Sequence, residues 1–203
     1  MATAQQALVR LAEDTGSYLE KPVKAYIYAN SRDLQGSMIY PQEWTGGAAF
    51  TRHGIIAISI APNQIEWGKR AMTHELTHLV IHQMTFNPYN DLPNWLDEGL
   101  AMYNEGILGS EFTAFLSRAI TQDSLISVRS LSSPFSAYAD QSLLAYAQSY
   151  SLVEFLISNY GSDKMLELLN TFRQGSSYDG ALEEIYGFDM DGLDTLWRDY
   201  ITK

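Results

Sequence analysis

The sequence predicts an α+β protein: a helix and a small mixed sheet near the N-terminus, then one long helix, then a mainly helical C-terminal lobe. Three observations carry this. Apolar residues between Lys21 and Pro62 recur with a period of two, the period changes to 3.6 from Asn63, and from Leu92 onward the helical pattern persists, punctuated by glycines. With 203 residues, the chain has the length of one good-sized domain. It is read as a single domain over residues 1–203, with an α/β lobe over 1–62 and a long helix plus helical lobe over 63–203.

The elements follow in order. Residues 4–20, "AQQALVRLAEDTGSYLE", place Ala7, Leu8, Leu11, Tyr18 and Leu19 at helical spacing, which predicts an amphipathic first helix. "KPVKAYIYAN" alternates Val23, Ala25 and Ile27 with Lys24, Tyr26 and Tyr28, the pattern of a half-buried strand. "GGAAFTRHGIIAISIAP" reads as two short strands turning at His53-Gly54, the second being the fuller apolar run. One helix of roughly twenty residues should follow, with Asn63 and Glu66 as a capping box, Asn87-Pro88 as its stop, and Met72, Leu76, Leu79 and Val80 as its buried stripe. Helices are then predicted over 97–107, 111–122, 140–160, 162–174, 178–186 and 191–202, with Gly161, Gly175 and Gly187 as stop signals. The serine-rich stretch from Asp123 to Asp140 is the one long loop candidate.

Composition narrows the function. A hydrophobic fraction of 46%, with 13 Tyr, 8 Phe and 4 Trp, supplies a substantial core and sets the chain apart from disordered proteins. The net charge of -11, without any Lys/Arg cluster, argues against a nucleic-acid partner and against acidic membranes. No apolar run is long enough to span a bilayer, so no membrane contact by this chain is expected. The absence of cysteine removes disulfides, thiolate nucleophiles and cysteine-based zinc sites together. The first sixteen residues lack the basic segment and apolar core of a signal peptide.

The chemistry concentrates in "MTHELTHLV", Met72 to Val80. Residues four apart share one face of a helix, about 6 Å apart in rise, so His74 and His78 can turn their imidazoles to one cation. Glu75 lies about 100° round the helix and can reach a water on that cation without being a ligand itself. Downstream, "LPNWLDEGLAMYNEG" places Glu98 at the opening of a second helix, after a turn built around Pro93 and Trp95. Two helical histidines with a carboxylate from a neighbouring helix make a His₂Glu set with an open position, the arrangement of catalytic rather than structural zinc.

Here the sequence resembles a known family. "HELTH", separated by nineteen residues from the glutamate of "WLDEG", is similar to the gluzincins, the thermolysin-like clan of peptidase MA, and its W-L-x-E-G-x-A form resembles the M1 aminopeptidase branch. The resemblance implies a thermolysin-like catalytic domain with zinc on His74, His78 and Glu98, and with Glu75 as general base. "YAQSYSLVEFL" resembles the M1 helix whose tyrosine stabilises the oxyanion. Tyr146 takes that place, Gln148 and Ser149 replace the lysine and glycine of the pattern, and Tyr150, one turn on, stays an alternative. Gluzincins also lay an extended peptide along an edge strand before the metal helix. Gly47, Ala48 and Ala49 hold that place, without the acid by which aminopeptidases grip a free amine, and an endopeptidase is therefore favoured over an aminopeptidase.

The expected activity is thus zinc-dependent hydrolysis of extended peptide segments, with a peptide or protein as substrate and a monomeric enzyme. An extracytoplasmic place is expected, either secreted or as the outer domain of an anchored protein, with a cytoplasmic one left open. The alternatives are a catalytically inactive, metal-containing peptide-binding module and a helical protein whose motif is accidental.

Other residues carry less. His82 lies about 12 Å along the helix from His74, too far to share its metal. His53 reads as a turn residue, and Asp191 in "DMDGLD" as the cap of the last helix. Asp97 and Asn94 are candidates to steady the ligands, because ligating histidines usually donate their other N–H to a carboxylate or carbonyl; Met102 stands where thermolysin-like proteins have an aspartate.

Overall fold

In the computed structural model, residues 2–39, 46–136 and 138–203 are described. They form α1 (Ala2–Thr15), β1 (Lys24–Tyr28), α2 (Ser31–Gly36), β2 (Gly47–Phe50), β3 (Ile55–Ser59), α3 (Ile65–Thr85), α4 (Asn94–Glu105), α5 (Ser110–Thr121), α6 (Val128–Leu131), α7 (Ala139–Tyr160), α8 (Ser162–Arg173), α9 (Tyr178–Tyr186) and α10 (Met190–Ile201). The content is mostly helical with one three-stranded mixed sheet, in keeping with the α+β class. Among the described residues no helix is long and apolar enough to cross a membrane.

The chain divides into two compact units, Met1–Gln83 with Asn104–Gly106, and Met84–Tyr103 with Ile107–Lys203. In the first, the strand order is β1-β3-β2, with β1 parallel and β2 antiparallel to β3. The turn expected at His53-Gly54 is a 3₁₀ turn over Thr51–His53 closed by Gly54 at φ 61, ψ 38, a left-handed conformation that glycine adopts without a side-chain clash. His53 is accordingly an exposed turn residue. β3 is central and almost wholly buried, which is why its apolar run is continuous. Its Ile56 and Ile58 pack with Ala7 and Leu11 of α1 and with Leu76, Leu79 and Val80 of α3, while Met72 joins this core partly buried.

Two expectations in this unit need correction. α1 ends at Thr15 rather than near residue 20, because Gly16 at φ 66 terminates it with its N–H on the Ala12 carbonyl. β1 is not half-buried: it is an edge strand, Tyr26 and Ile27 are each about half exposed, and Ala25 is exposed as well. Its alternation therefore does not report a buried face. The α3 start also moves slightly, since the first helical hydrogen bond runs from Gly68 N–H to the Gln64 carbonyl, one residue past Asn63.

The second unit is helical. Its boundaries follow the predicted ones closely because Gly161, Gly175 and Gly187, at φ 87, 86 and 83, stop α7, α8 and α9 where the pattern placed them. α7 is buried mainly through its middle, between Ser142 and Leu156, and Trp197 of α10 donates its indole N–H to Ser151 of α7 at 3.1 Å. The long serine-rich loop is interrupted by α6, capped by Ser127 accepting from Ser130 N–H, while Ala137 within the same stretch lies outside the described residues. The last helix is capped by Asp189, which accepts from Gly192 N–H; Asp191 instead pairs with Arg129 at 3.0 Å. Arg129 also grips Asp179 with two hydrogen bonds and holds that carboxylate below the ordinary range.

Candidate metal centre

The 21 residues of α3 carry the motif on a helix whose apolar stripe is fixed against the sheet. That leaves the flanking positions to set the chemistry. His74 and His78 sit edge to face with ring centroids 4.9 Å apart, as the four-residue spacing requires. His78 and Glu75 are both buried, unusual positions for ionisable side chains.

Nδ1 of His74 lies 2.7 Å from Oε1 of Glu105. An ionised carboxylate can only accept, so Nδ1 is the donor in this contact, and in the neutral imidazole that leaves the lone pair on Nε2, the form a metal ligand needs. The second carboxylate oxygen of Glu105 lies 3.9 Å from Nε of Arg70, one turn before His74 on α3. Sequence reasoning missed Glu105 and named Asp97 and Asn94 for this kind of role. The available signal was its position seven residues after Glu98, two turns on and on the same face of α4.

The carboxylate of Glu75 is placed by β2. A Cβ added to Gly47 would come 3.1 Å from the carboxyl carbon of Glu75 and closer still to Oε1, so any larger residue here would displace that carboxylate. Among the described residues β2 is a sheet edge. Ser59 N–H bonds to the Gly46 carbonyl, so Gly46 and Ser59 form a hydrogen-bonded pair, and by alternation so do Ala48 and Ala57. The main-chain groups of Gly47 and Ala49 therefore point to the outer side of the edge, whereas those of Ala48 are engaged by β3.

In the second unit, α4 begins at Asn94, with the Pro93 carbonyl accepting from Leu96 and Asp97, so Glu98 stands in the second turn instead of opening the helix. Gly99 beside it meets the Ser149 carbonyl of α7, and a Cβ there would lie 2.7 Å from Val153 Cγ2. The glycine of "DEG" is thus explained by a close helix crossing. Gln148, in the motif's lysine position, is fully buried and bonds both the N–H and the carbonyl of Ile126, at 2.9 and 2.8 Å.

Tyr146 and Tyr150 differ in environment. Tyr146 is partly buried, edge to face with Phe135 at 5.2 Å. Tyr150 is buried; desolvation, then the charge of Glu154, raises its phenol above the ordinary range, while a hydrogen bond from the Leu108 backbone opposes this.

As donor types, His74, His78 and Glu98 are a set that could hold one metal ion, and His78, His82 and Asp97 are another. The tautomer of His74 suits the first set. Residues 3–203 match a family model described as the Peptidase MA superfamily. No curated protein matches the chain.

Proposed function

The chain belongs to the peptidase MA superfamily, and from that premise we propose that it is a zinc metallopeptidase of the gluzincin kind, an endopeptidase cutting extended peptide segments. The supporting observation is the grouping on α3. One histidine has its Nδ1 2.7 Å from a carboxylate oxygen of Glu105, a second lies one turn on, and between them a buried glutamate sits against the edge strand. Members of this superfamily are commonly metal-dependent, and the donor set of this chain fits that chemistry.

In this reading His74, His78 and Glu98 hold the ion in a thermolysin-like arrangement. A zinc ion so held would lower the pKa of a water towards about 7 and polarise the scissile carbonyl. The outward main-chain groups of Gly47 and Ala49 pair with the substrate backbone, an interaction that gives affinity with little demand on sequence. Glu75 takes the proton of the attacking water and returns it to the leaving amine. Tyr146 donates its hydroxyl to the developing oxyanion. Tyr150, engaged by Leu108 and Glu154, is the less suitable donor.

The test is Glu75→Gln, which keeps size and hydrogen bonding but removes the base. Hydrolysis of an unfolded protein should fall to background while zinc stays bound at one per chain. Undiminished hydrolysis would remove Glu75 from this role.

A further inference from the structure

We infer that Glu105 is a positioning residue for the metal site: it fixes the ring orientation and tautomer of His74. The inference rests on the reading above in which His74 is a metal ligand. Glu105 is the last residue of α4, where the carbonyl ends of the helix disfavour a negative charge, so its placement needs a compensating partner. Two are present. His74 Nδ1 is 2.7 Å from Oε1, and Arg70 Nε is 3.9 Å from Oε2. The turn itself is tethered, because Arg10 of α1 donates to the carbonyl of Asn104, the preceding residue. The contact is sheltered: the side chains of His74 and Glu105 keep 14% and 21% exposure, so water competes weakly for it.

Each feature addresses the same problem. A histidine side chain can rotate about χ1 and χ2 and exchange tautomers, and both freedoms must be given up when it ligates. The Glu105 contact restricts both beforehand. Its charge also makes the imidazole a stronger donor, as carboxylate partners of ligating histidines do.

The experiment compares the full wild-type chain with Glu105→Ala and the isosteric Glu105→Gln, each first confirmed as folded by circular dichroism. Two quantities are measured. The first is the His74 tautomer in metal-free protein at about pH 8, from the nitrogen-15 shifts of the ring. The second is zinc affinity, by competition with a chromophoric chelator. The wild type should carry its proton on Nδ1, Glu105→Ala should move population to Nε2, and zinc should bind about 10 to 100 times more weakly in Glu105→Ala. Glu105→Gln, which still accepts the hydrogen bond through its amide oxygen, should keep the tautomer and lose less affinity. A wild-type proton on Nε2, or unchanged zinc affinity in Glu105→Ala, would overturn the inference. If the wild type itself takes up no zinc, the metallopeptidase reading fails, and the tautomers alone decide whether Glu105 orients His74.

Discussion

Two long helices, α3 and α7, both bury polar side chains, and they use them differently. On α7 three of the buried groups are an amide and two hydroxyls matched to fixed partners: Gln148 holds both main-chain groups of Ile126, Ser151 accepts from Trp197, and Ser142 donates to the Ser136 carbonyl. On α3 they include the ionisable Glu75 and His78, with the partly buried His74 one turn before His78, and a partner of His74 is itself a carboxylate. A buried amide satisfied by backbone specifies packing; burying ionisable groups is costly, and their grouping points to chemistry. Length and amphipathic pattern alone would not separate the two helices.

If the comparison holds, substitutions on α7 should split sharply between its tyrosines. Tyr146→Phe should lower kcat by about 10²- to 10³-fold, the usual effect of losing one oxyanion donor. Tyr150→Phe should cost about 1 kcal/mol of stability and leave kcat within a few fold. Steady-state kinetics on the pair with thermal melts would decide, and the reverse outcome would transfer the oxyanion role to Tyr150.

Next in size is the edge strand. Gly47→Ala adds a methyl group onto the Glu75 carboxylate, which must shift, and a displacement near 1 Å at a reacting group costs about 10²-fold in rate. Zinc content should not change. If turnover also stays at the wild-type level, the Gly47 contact does not position the base.

The smallest effect sharpens the structural side. Gln148→Leu leaves the main-chain N–H and carbonyl of Ile126 without their partner and should destabilise the fold by about 1 to 3 kcal/mol, with zinc affinity unaltered. Chemical denaturation and a zinc titration on the same protein would show it. A loss of zinc affinity at unchanged stability would mean that α7 serves the site more directly than its packing suggests.

What was legible in the sequence follows the same division. The helix ends marked by Gly161, Gly175 and Gly187 were placed within a residue or so because a left-handed φ is a local requirement that few other residues meet, whereas the stop at Gly16 was passed over. α2 and α6 went unread, being six and four residues long, too short for a period, and signalled only by their caps Asn30 and Ser127. The exposure of β1 depends on which strand ends up at the edge, a tertiary outcome that alternation alone does not contain. Glu105 was missed for a related reason: its seven-residue spacing puts it on the face of Glu98, but its partner is 31 residues away on an earlier helix, which that spacing does not identify. The H-E-x-x-H pattern was legible because its chemistry is written in four consecutive helical steps.

The most direct measurement of the central claim is metal content per chain after purification without added metal, paired with hydrolysis of an unfolded protein before chelation, after chelation and after zinc is returned. The account predicts about one zinc per chain, cleavage lost with the metal and restored with it. Zinc without cleavage would contradict the enzyme and leave a metal-containing peptide-binding module, and no zinc even after reconstitution would contradict the metal centre itself.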